Sequence, residues 1–204
     1  MKKRLVIIGA GGHGKVCANV ALRMNQWKDI VFLDDHQNDD VLGFRVVGPI
    51  DVSLISDQDD TFVAIGDNKK RSQLIEILLE HHHKLVTLID PSALTGLKVK
   101  IGLGTLIMPK AVINADTIIG QGVIINTASI VEHDCIIGNY VHVSPNASLG
   151  GNVQVGDLSW VGIGSCIIHS VRVTDNVIIG AGSVVIKDTL DSGTYAGCPV
   201  QKIH

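Results

Sequence analysis

The stretch Ile101-Gly102-Leu103-Gly104-Thr105-Leu106-Ile107-Met108-Pro109-Lys110-Ala111-Val112-Ile113 places an aliphatic residue at every sixth position. The register continues through Ile119, Ile125, Val131, Ile137, Val143, Leu149, Val155, Val161, Ile167, Val173, Ile179 and Val185. A second register runs from Thr105 through Ala111, Thr117, Val123, Ser129, Cys135, Val141, Ala147, Val153, Ser159, Ser165, Val171, Val177 and Ser183, all small or β-branched. A strand repeats every two residues and a helix every 3.6, so neither accounts for a period of six. The repeat predicts a triangular coil in which each hexapeptide supplies one flat side and one corner. The aliphatic residue points inward and the small one fits the corner. Three hexapeptides close a coil, so about five coils stack between Ile101 and Lys187, each burying its neighbour's face. Gly102, Gly120, Gly138, Gly156, Gly162 and Gly180 follow the aliphatic position, where the turn is expected to need permissive backbone.

Upstream of this repeat the pattern changes. Arg4–Ile8 is β-rich and ends at Gly9, and Gly14–Met24 has apolar residues at helical spacing. Ile30–Leu33 reads as a strand, Thr61–Ile65 as another, Ser72–Glu80 as a helix and Leu85–Ile89 as a strand. Alternating strands and helices predict a small parallel sheet with crossover helices. The expected organisation is an α/β Rossmann-like domain over 1–90, followed by an all-β parallel β-helix over 91–204.

The chain has 204 residues, 46% hydrophobic and 18% charged, with a net charge of −3. That balance argues against a nucleic-acid partner. No apolar run approaches the length of a membrane span. Gly9–Gly14 cuts the first apolar run too short for a signal peptide. Cys17, Cys135, Cys166 and Cys198 show no paired spacing, so a reduced, cytoplasmic protein is expected.

Gly9-x-Gly11-x-x-Gly14 follows a strand and opens a helix, and Asp34 lies at the end of the next strand. This is the dinucleotide fingerprint. Glycine-rich N–H groups at a helix N-terminus bind phosphate, which suits a nucleotide-sugar pyrophosphate as well as NAD. Against NAD stand the small α/β portion, His13 within the turn, and a β-helix where a second oxidoreductase domain would be. His133 sits at an outward corner between Glu132 and Asp134. A neutral imidazole is the usual proton acceptor near pH 7, though a solvated surface histidine fits the same position. Cys135 occupies the small inward register and is expected to pack rather than react. The run His81-His82-His83 follows a helix end, and three consecutive residues cannot face one ion.

Four segments occur in a telling order: Ile7-Ile8-Gly9-Ala10-Gly11-Gly12-His13-Gly14, Phe32-Leu33-Asp34-Asp35, Ala64-Ile65-Gly66-Asp67-Asn68, and Asn126-Thr127-Ala128-Ser129-Ile130-Val131-Glu132-His133-Asp134-Cys135. With the hexapeptide repeat they resemble the sialic-acid O-acetyltransferase and bacillosamine-pathway N-acetyltransferase family, the NeuD/PglD-like group. Phe32–Asp35 and the Ser165-Cys166-Ile167 after Gly164 look most like the UDP-4-amino-4,6-dideoxy-sugar N-acetyltransferases. The resemblance implies a left-handed β-helix, acetyl-CoA as co-substrate, a UDP-linked amino sugar as acceptor, no metal, and a homotrimer with active sites between neighbouring prisms. It gives His133 the role of base and Asp134 that of orienting it. It places His142, Gly151, Ile163, Gly180, Ala181 and Lys202 at acetyl-CoA. It places Gly11, Gly12, His13, Gly14, Asp34, Asp35, Gly66 and Asn68 at the nucleotide sugar. In the tail, Gly197-Cys198-Pro199-Val200-Gln201-Lys202 sets the basic residue one position beyond its place in the family's usual Gly-x-Pro-Ala-Lys ending.

Two other classes of function compete with this one, beside the close variant of O-acetyl transfer to sialic acid or another sugar. One is an NAD-dependent oxidoreductase or a nucleotide sensor without chemistry. The other is a β-helix metal hydratase. His133 and His169 share a register two coils apart, roughly 10 Å at the spacing of adjacent strands, too far to share a zinc ion within one chain. Outward residues such as Val112, Ile118, Ile124 and Ile130 are expected to seek cover in the trimer.

Overall fold

Val, Ile and Leu dominate β1 (Arg4–Ile8) and β2 (Asp29–Leu33), and both strands are buried along almost their whole length. Strands buried this way belong to a sheet covered on both faces. The computed structural model describes residues 3–204 and divides the chain into two units, Met1–Pro91 and Ser92–His204. The first unit holds a four-stranded parallel sheet in the order β2-β1-β3-β4, with β3 at Asp60–Val63 and β4 at Lys84–Leu85. Helices α1 (Gly12–Met24) and α2 (Asn68–Glu80) provide the crossovers. Both start earlier than helical spacing suggested. The Asp67 side chain accepts the N–H of Lys70 and caps α2, which starts at Asn68, four residues before Ser72. The single strand expected over Leu85–Ile89 is broken into β4 and a separate short strand, Leu88–Ile89.

The second unit is a parallel triangular solenoid. Its first sheet stacks Leu106–Ile107, Ile124–Ile125, His142–Val143, Trp160–Val161 and Val177–Ile179. The second stacks six strands from Leu94–Thr95 to Val184–Val185, through Val112–Ile113, Ile130–Val131, Ser148–Leu149 and Cys166–Ile167. The third runs from Lys100–Ile101 to Arg172–Val173. The solenoid therefore begins a strand before Ile101. It also adds a rung beyond Lys187, where Gly193–Gly197 pairs with Val177–Ile179.

The aliphatic register is buried from Ile107 to Val185, and so is the whole small register from Thr105 to Ser183. Each buried aliphatic side chain contributes about 1.5–3 kcal/mol. The small register has a second property. Thr105, Thr117, Ser159 and Ser165 donate their hydroxyls to the carbonyls of Gly120, Glu132, Thr174 and Gly180 at 2.8–2.9 Å. Polar residues thus fill an apolar interior without leaving a donor unpaired. Cys135 takes the same place, its thiol 3.3 Å from the carbonyl of Gly150.

The glycines after the aliphatic position do not serve the turn in the expected way. The left-handed residue lies two positions further on: Gly104, Lys110, Asp116, Gly122, Ala128, Asp134, Tyr140 and their successors have φ between +54° and +67°. Most of them are not glycine. Their N–H groups bond back to the preceding coil, as Ala128 does to Pro109 and Asp134 to Ala115, both at 3.0 Å. Where glycine does follow the aliphatic residue, as at Gly120 on the third sheet, the reason is different. A Cβ on Gly120 would stand 2.8 Å from the Asn139 nitrogen and the Gly138 carbonyl carbon. One outward expectation also changes: Ile124 is buried, as are Leu106 and His142 on the same sheet.

Gly120→Ala should cost about 1–3 kcal/mol through overpacking against backbone. Gly164→Asn, at a left-handed position where a Cβ would meet nothing within 4 Å, should cost less. Thermal unfolding midpoints of the two variants check this ordering.

Candidate active site

His133 follows the strand Ile130–Val131, at the corner between the second and third sheets. Successive side chains in an extended chain point apart. Asp134, however, is left-handed at φ 59°, and the kink swings its carboxylate alongside the ring. His133 Nδ1 and Asp134 Oδ2 are 2.7 Å apart, and the His133 side chain is 61% exposed. The hydrogen bond to Asp134, then the charges of Asp134 and Glu132, raise the His133 pKa above its ordinary value. Glu132 itself accepts from Asn114 Nδ2 at 2.8 Å.

Gly151 occupies the same corner one coil on. A Cβ there would stand 2.6 Å from His133 Cε1 and 2.7 Å from Nε2. The imidazole thus rests on the bare Cα of Gly151. Cys135 is buried beside this corner, and burial pushes its thiol pKa up, which suppresses the thiolate that acyl-enzyme chemistry needs.

His142 lies elsewhere, on the first sheet. Its ring stacks on Trp160 with centroids 5.2 Å apart and planes 12° apart, and Trp160 Nε1 donates to Ser144 Oγ at 2.7 Å. Ser144, Trp160, Ile163, Ile178, Gly180 and Ala181 line a mostly apolar groove of about 270 Å³. The structure therefore gathers Ile163, Gly180 and Ala181 with the His142–Trp160 stack. It does not bring Lys202 there: its ammonium lies 3.9 Å from Asp191, and it lines a separate depression with Ile186, Tyr195 and Val200. Trp160 and Ser144 escaped the sequence reading, although Trp160 is one of only two tryptophans and falls three coil-thirds beyond His142.

In the first unit, Gly11 caps α1 with no side-chain bond. A Cβ on Gly11, Gly12 or Gly66 would meet nothing within 4 Å, so these positions leave open space beside backbone N–H groups. Gly14 differs, because a Cβ there would collide with the Gly9 carbonyl. His13 is largely buried; burial and the Arg71 guanidinium lower its pKa to about 4, so it is neutral at pH 7. Arg71 is buried and donates to the carbonyls of Ile65 and Gly66 and to Asn68 Oδ1. Asp34 accepts from the N–H groups of Ala10, His36 and Gln37, and Asp35 accepts from Ile50. Both carboxylates thus shape the loop themselves. Among the described residues no three His, Cys, Asp or Glu side chains converge as a metal site, and no helix is long and apolar enough to cross a membrane.

Residues 4–78 match the model of the PglD N-terminal domain family. The acetyltransferase domain of PglB from Neisseria gonorrhoeae FA1090, solved with acetyl coenzyme A, is 40% identical with a TM-score of 0.96, covering 100% of both chains. The chain belongs to the sugar acetyltransferases of the NeuD/PglD type. PerB from Caulobacter crescentus, solved with CoA and GDP-perosamine, is 36% identical with a TM-score of 0.92, covering 100% of this chain and 99% of that one. A variant of that perosamine N-acetyltransferase with one histidine replaced by asparagine, also bound to CoA and GDP-perosamine, is 35% identical with a TM-score of 0.90, covering 100% of this chain and 98% of that one.

Gly151→Ala should push the His133 ring off its seat and weaken its bond to Asp134. The His133 pKa, followed by NMR titration, should fall toward the ordinary histidine value while the unfolding midpoint moves little. An unchanged His133 titration would contradict this packing.

Proposed function

We propose that the chain transfers an acetyl group from acetyl-CoA to the amino group of a UDP-linked 4-amino-4,6-dideoxy sugar. The observation that carries this reading is the exposed His133–Asp134 pair. Asp134 engages Nδ1, which leaves Nε2 with the lone pair and turns the ring into an oriented base. The sugar amine attacks the thioester carbonyl as Nε2 takes its proton. The tetrahedral intermediate collapses, the C–S bond breaks, and the imidazolium returns a proton to the departing CoA thiolate. The raised thiol pKa of Cys135 favours this direct transfer over a covalent intermediate.

The donor is assigned to the groove of Ile163, Gly180 and Ala181, with His142 and the Gly151 N–H as hydrogen-bond donors to the developing oxyanion. Lys202 is assigned to the CoA phosphates, a role that requires it to leave Asp191. The acceptor's pyrophosphate is assigned to the N–H groups around Gly11, Gly12, His13 and Gly14, with Gly66 and Asn68 beside it and the Asp34–Asp35 loop near the nucleoside. The family relative PerB was solved with a GDP-linked amino sugar; UDP is the nucleotide assigned here.

Prism geometry supports a threefold assembly. His133 stands at the edge between the second and third sheets, opposite the first sheet that carries His142 and Trp160. One copy cannot present both to one acetyl group, so a neighbouring copy supplies the missing side, and exposed Ile118, Ile130 and Ile136 offer apolar contact area. The reading carries with it a cytoplasmic setting, in which the free thiols stay reduced.

His133→Ala should lower kcat by about 10²–10⁴-fold with acetyl-CoA affinity retained; near-normal turnover would remove the base. Wild-type activity should rise with pH as the His133 imidazolium, stabilised by Asp134, loses its proton. Asp134→Asn withdraws that stabilisation, so the rise should move to lower pH and the plateau should drop. Light scattering should give about 65 kDa, three copies of 21.7 kDa; a monomer would refute the shared site. A panel of UDP-, GDP- and dTDP-linked amino sugars assigns the nucleotide, and free sialic acid as the better acceptor would make the enzyme an O-acetyltransferase.

A further inference from the structure

His142 and His133 are both imidazoles at the reaction centre proposed above, yet their partners are of opposite kinds. His133 faces a carboxylate, whereas His142 Nε2 lies 3.0 Å from Asn126 Nδ2. The orientation of that amide is set independently. Asn126 Oδ1 accepts the backbone N–H of Thr127 at 2.8 Å, so the other amide atom, turned toward His142, is the NH₂ group. An NH₂ group only donates, and the ring nitrogen it meets must therefore hold a lone pair. The ring's proton is then on Nδ1.

Two further contacts fix the ring. Asn126 is itself anchored, with its N–H donated to Val143 O at 2.9 Å and its carbonyl accepting Ser129 Oγ at 2.7 Å. Trp160 covers one ring face at 5.2 Å and is held by its bond to Ser144. His142 is 8% exposed, which limits rotation of the ring.

We propose that Asn126 is a positioning residue that locks His142 as the neutral Nδ1–H tautomer, with Trp160 fixing its plane. His142 is thereby a permanent hydrogen-bond donor and is barred from acting as the base. The two histidines divide the work: an acid-partnered ring accepts the proton, and an amide-partnered ring donates to the thioester oxygen. The inference rests on the acetyl-transfer reading only for its catalytic consequence; the tautomer itself is a property of the resting protein.

Long-range ¹H–¹⁵N NMR of ¹⁵N-histidine-labelled wild-type protein, with His142→Gln to assign the ring, reads the tautomer directly. The expected result is a protonated Nδ1 and a bare Nε2 across neutral pH. A protonated Nε2, or a doubly protonated ring, overturns the proposal whether or not the protein transfers acetyl groups. Asn126→Asp gives the catalytic test. A carboxylate pulls a proton onto Nε2 and raises the ring's pKa, so Nδ1–H survives only below that pKa. The kcat profile should acquire a descending alkaline limb that wild type lacks, with a loss of about 10²-fold, as for removal of one oxyanion donor. A uniformly lower rate with the wild-type pH profile would reduce Asn126 to a structural role and overturn the proposal. If wild type shows no acetyl transfer at all while Nδ1 is protonated, the functional reading fails and the tautomer lock stands.

Discussion

Each corner of the solenoid is bonded through its backbone to the corner eighteen residues on, at the spacing of adjacent strands, about 4.8 Å, and every feature of the catalytic unit answers to that spacing. At 4.8 Å a Cβ on one coil reaches the main chain of the next, which is why Gly120 is glycine. The same distance puts the Gly151 Cα beneath the His133 imidazole and the Trp160 ring against that of His142. A change of one atom in one coil is thus felt in its neighbour. Inside the stack a methyl group cannot enter without moving backbone, whereas the exposed His133 ring can swing into solvent.

The same stacking explains how chemistry is placed on so regular a scaffold. A corner needs one left-handed residue, and its identity is nearly free, because the N–H bond to the preceding coil offsets the steric penalty of about 1–2 kcal/mol. At most corners the choice has no chemical consequence: Lys110, Ala128 and Leu158 occupy it. At Asp134 the left-handed turn brings two sequence neighbours together in a hydrogen bond of 2.7 Å. The proposed function thus rests on a substitution at a position the fold already holds in an unusual conformation.

The aliphatic and small registers were legible in the sequence because burial acts on every coil alike, and a physical demand repeated so often leaves a periodic trace. The His133–Asp134 pair was legible for a related reason, standing at a corner whose register was known. Other features left no such trace. The glycines were noticed, but backbone crowding from the next coil cannot be told from turn formation by spacing alone. Trp160 lies in an outward position, where the repeat tolerates any residue, so its stacking on His142 appears only when coils are superposed. Asp34 had the position of a ribose-binding acid. What the sequence hides is that Ala10, His36 and Gln37 already occupy its carboxylate.

That occupied carboxylate bears on the choice between dinucleotide and nucleotide sugar. In a dinucleotide fold the acid after the second strand is kept for the ribose, and a second mononucleotide half completes the site. Here the sheet stops at four strands, and the acid ties its own loop to Ala10 at the rim of the glycine turn. The loop is closed by the protein, while Gly11, Gly12 and Gly66 are left bare on their open side. His13, kept neutral by burial and by Arg71, adds no charge there, so a pyrophosphate would be met by N–H dipoles and the buried Arg71 field rather than by a surface cation. A site so built would recognise a diphosphate by shape and leave the discrimination of base and sugar to the residues around it.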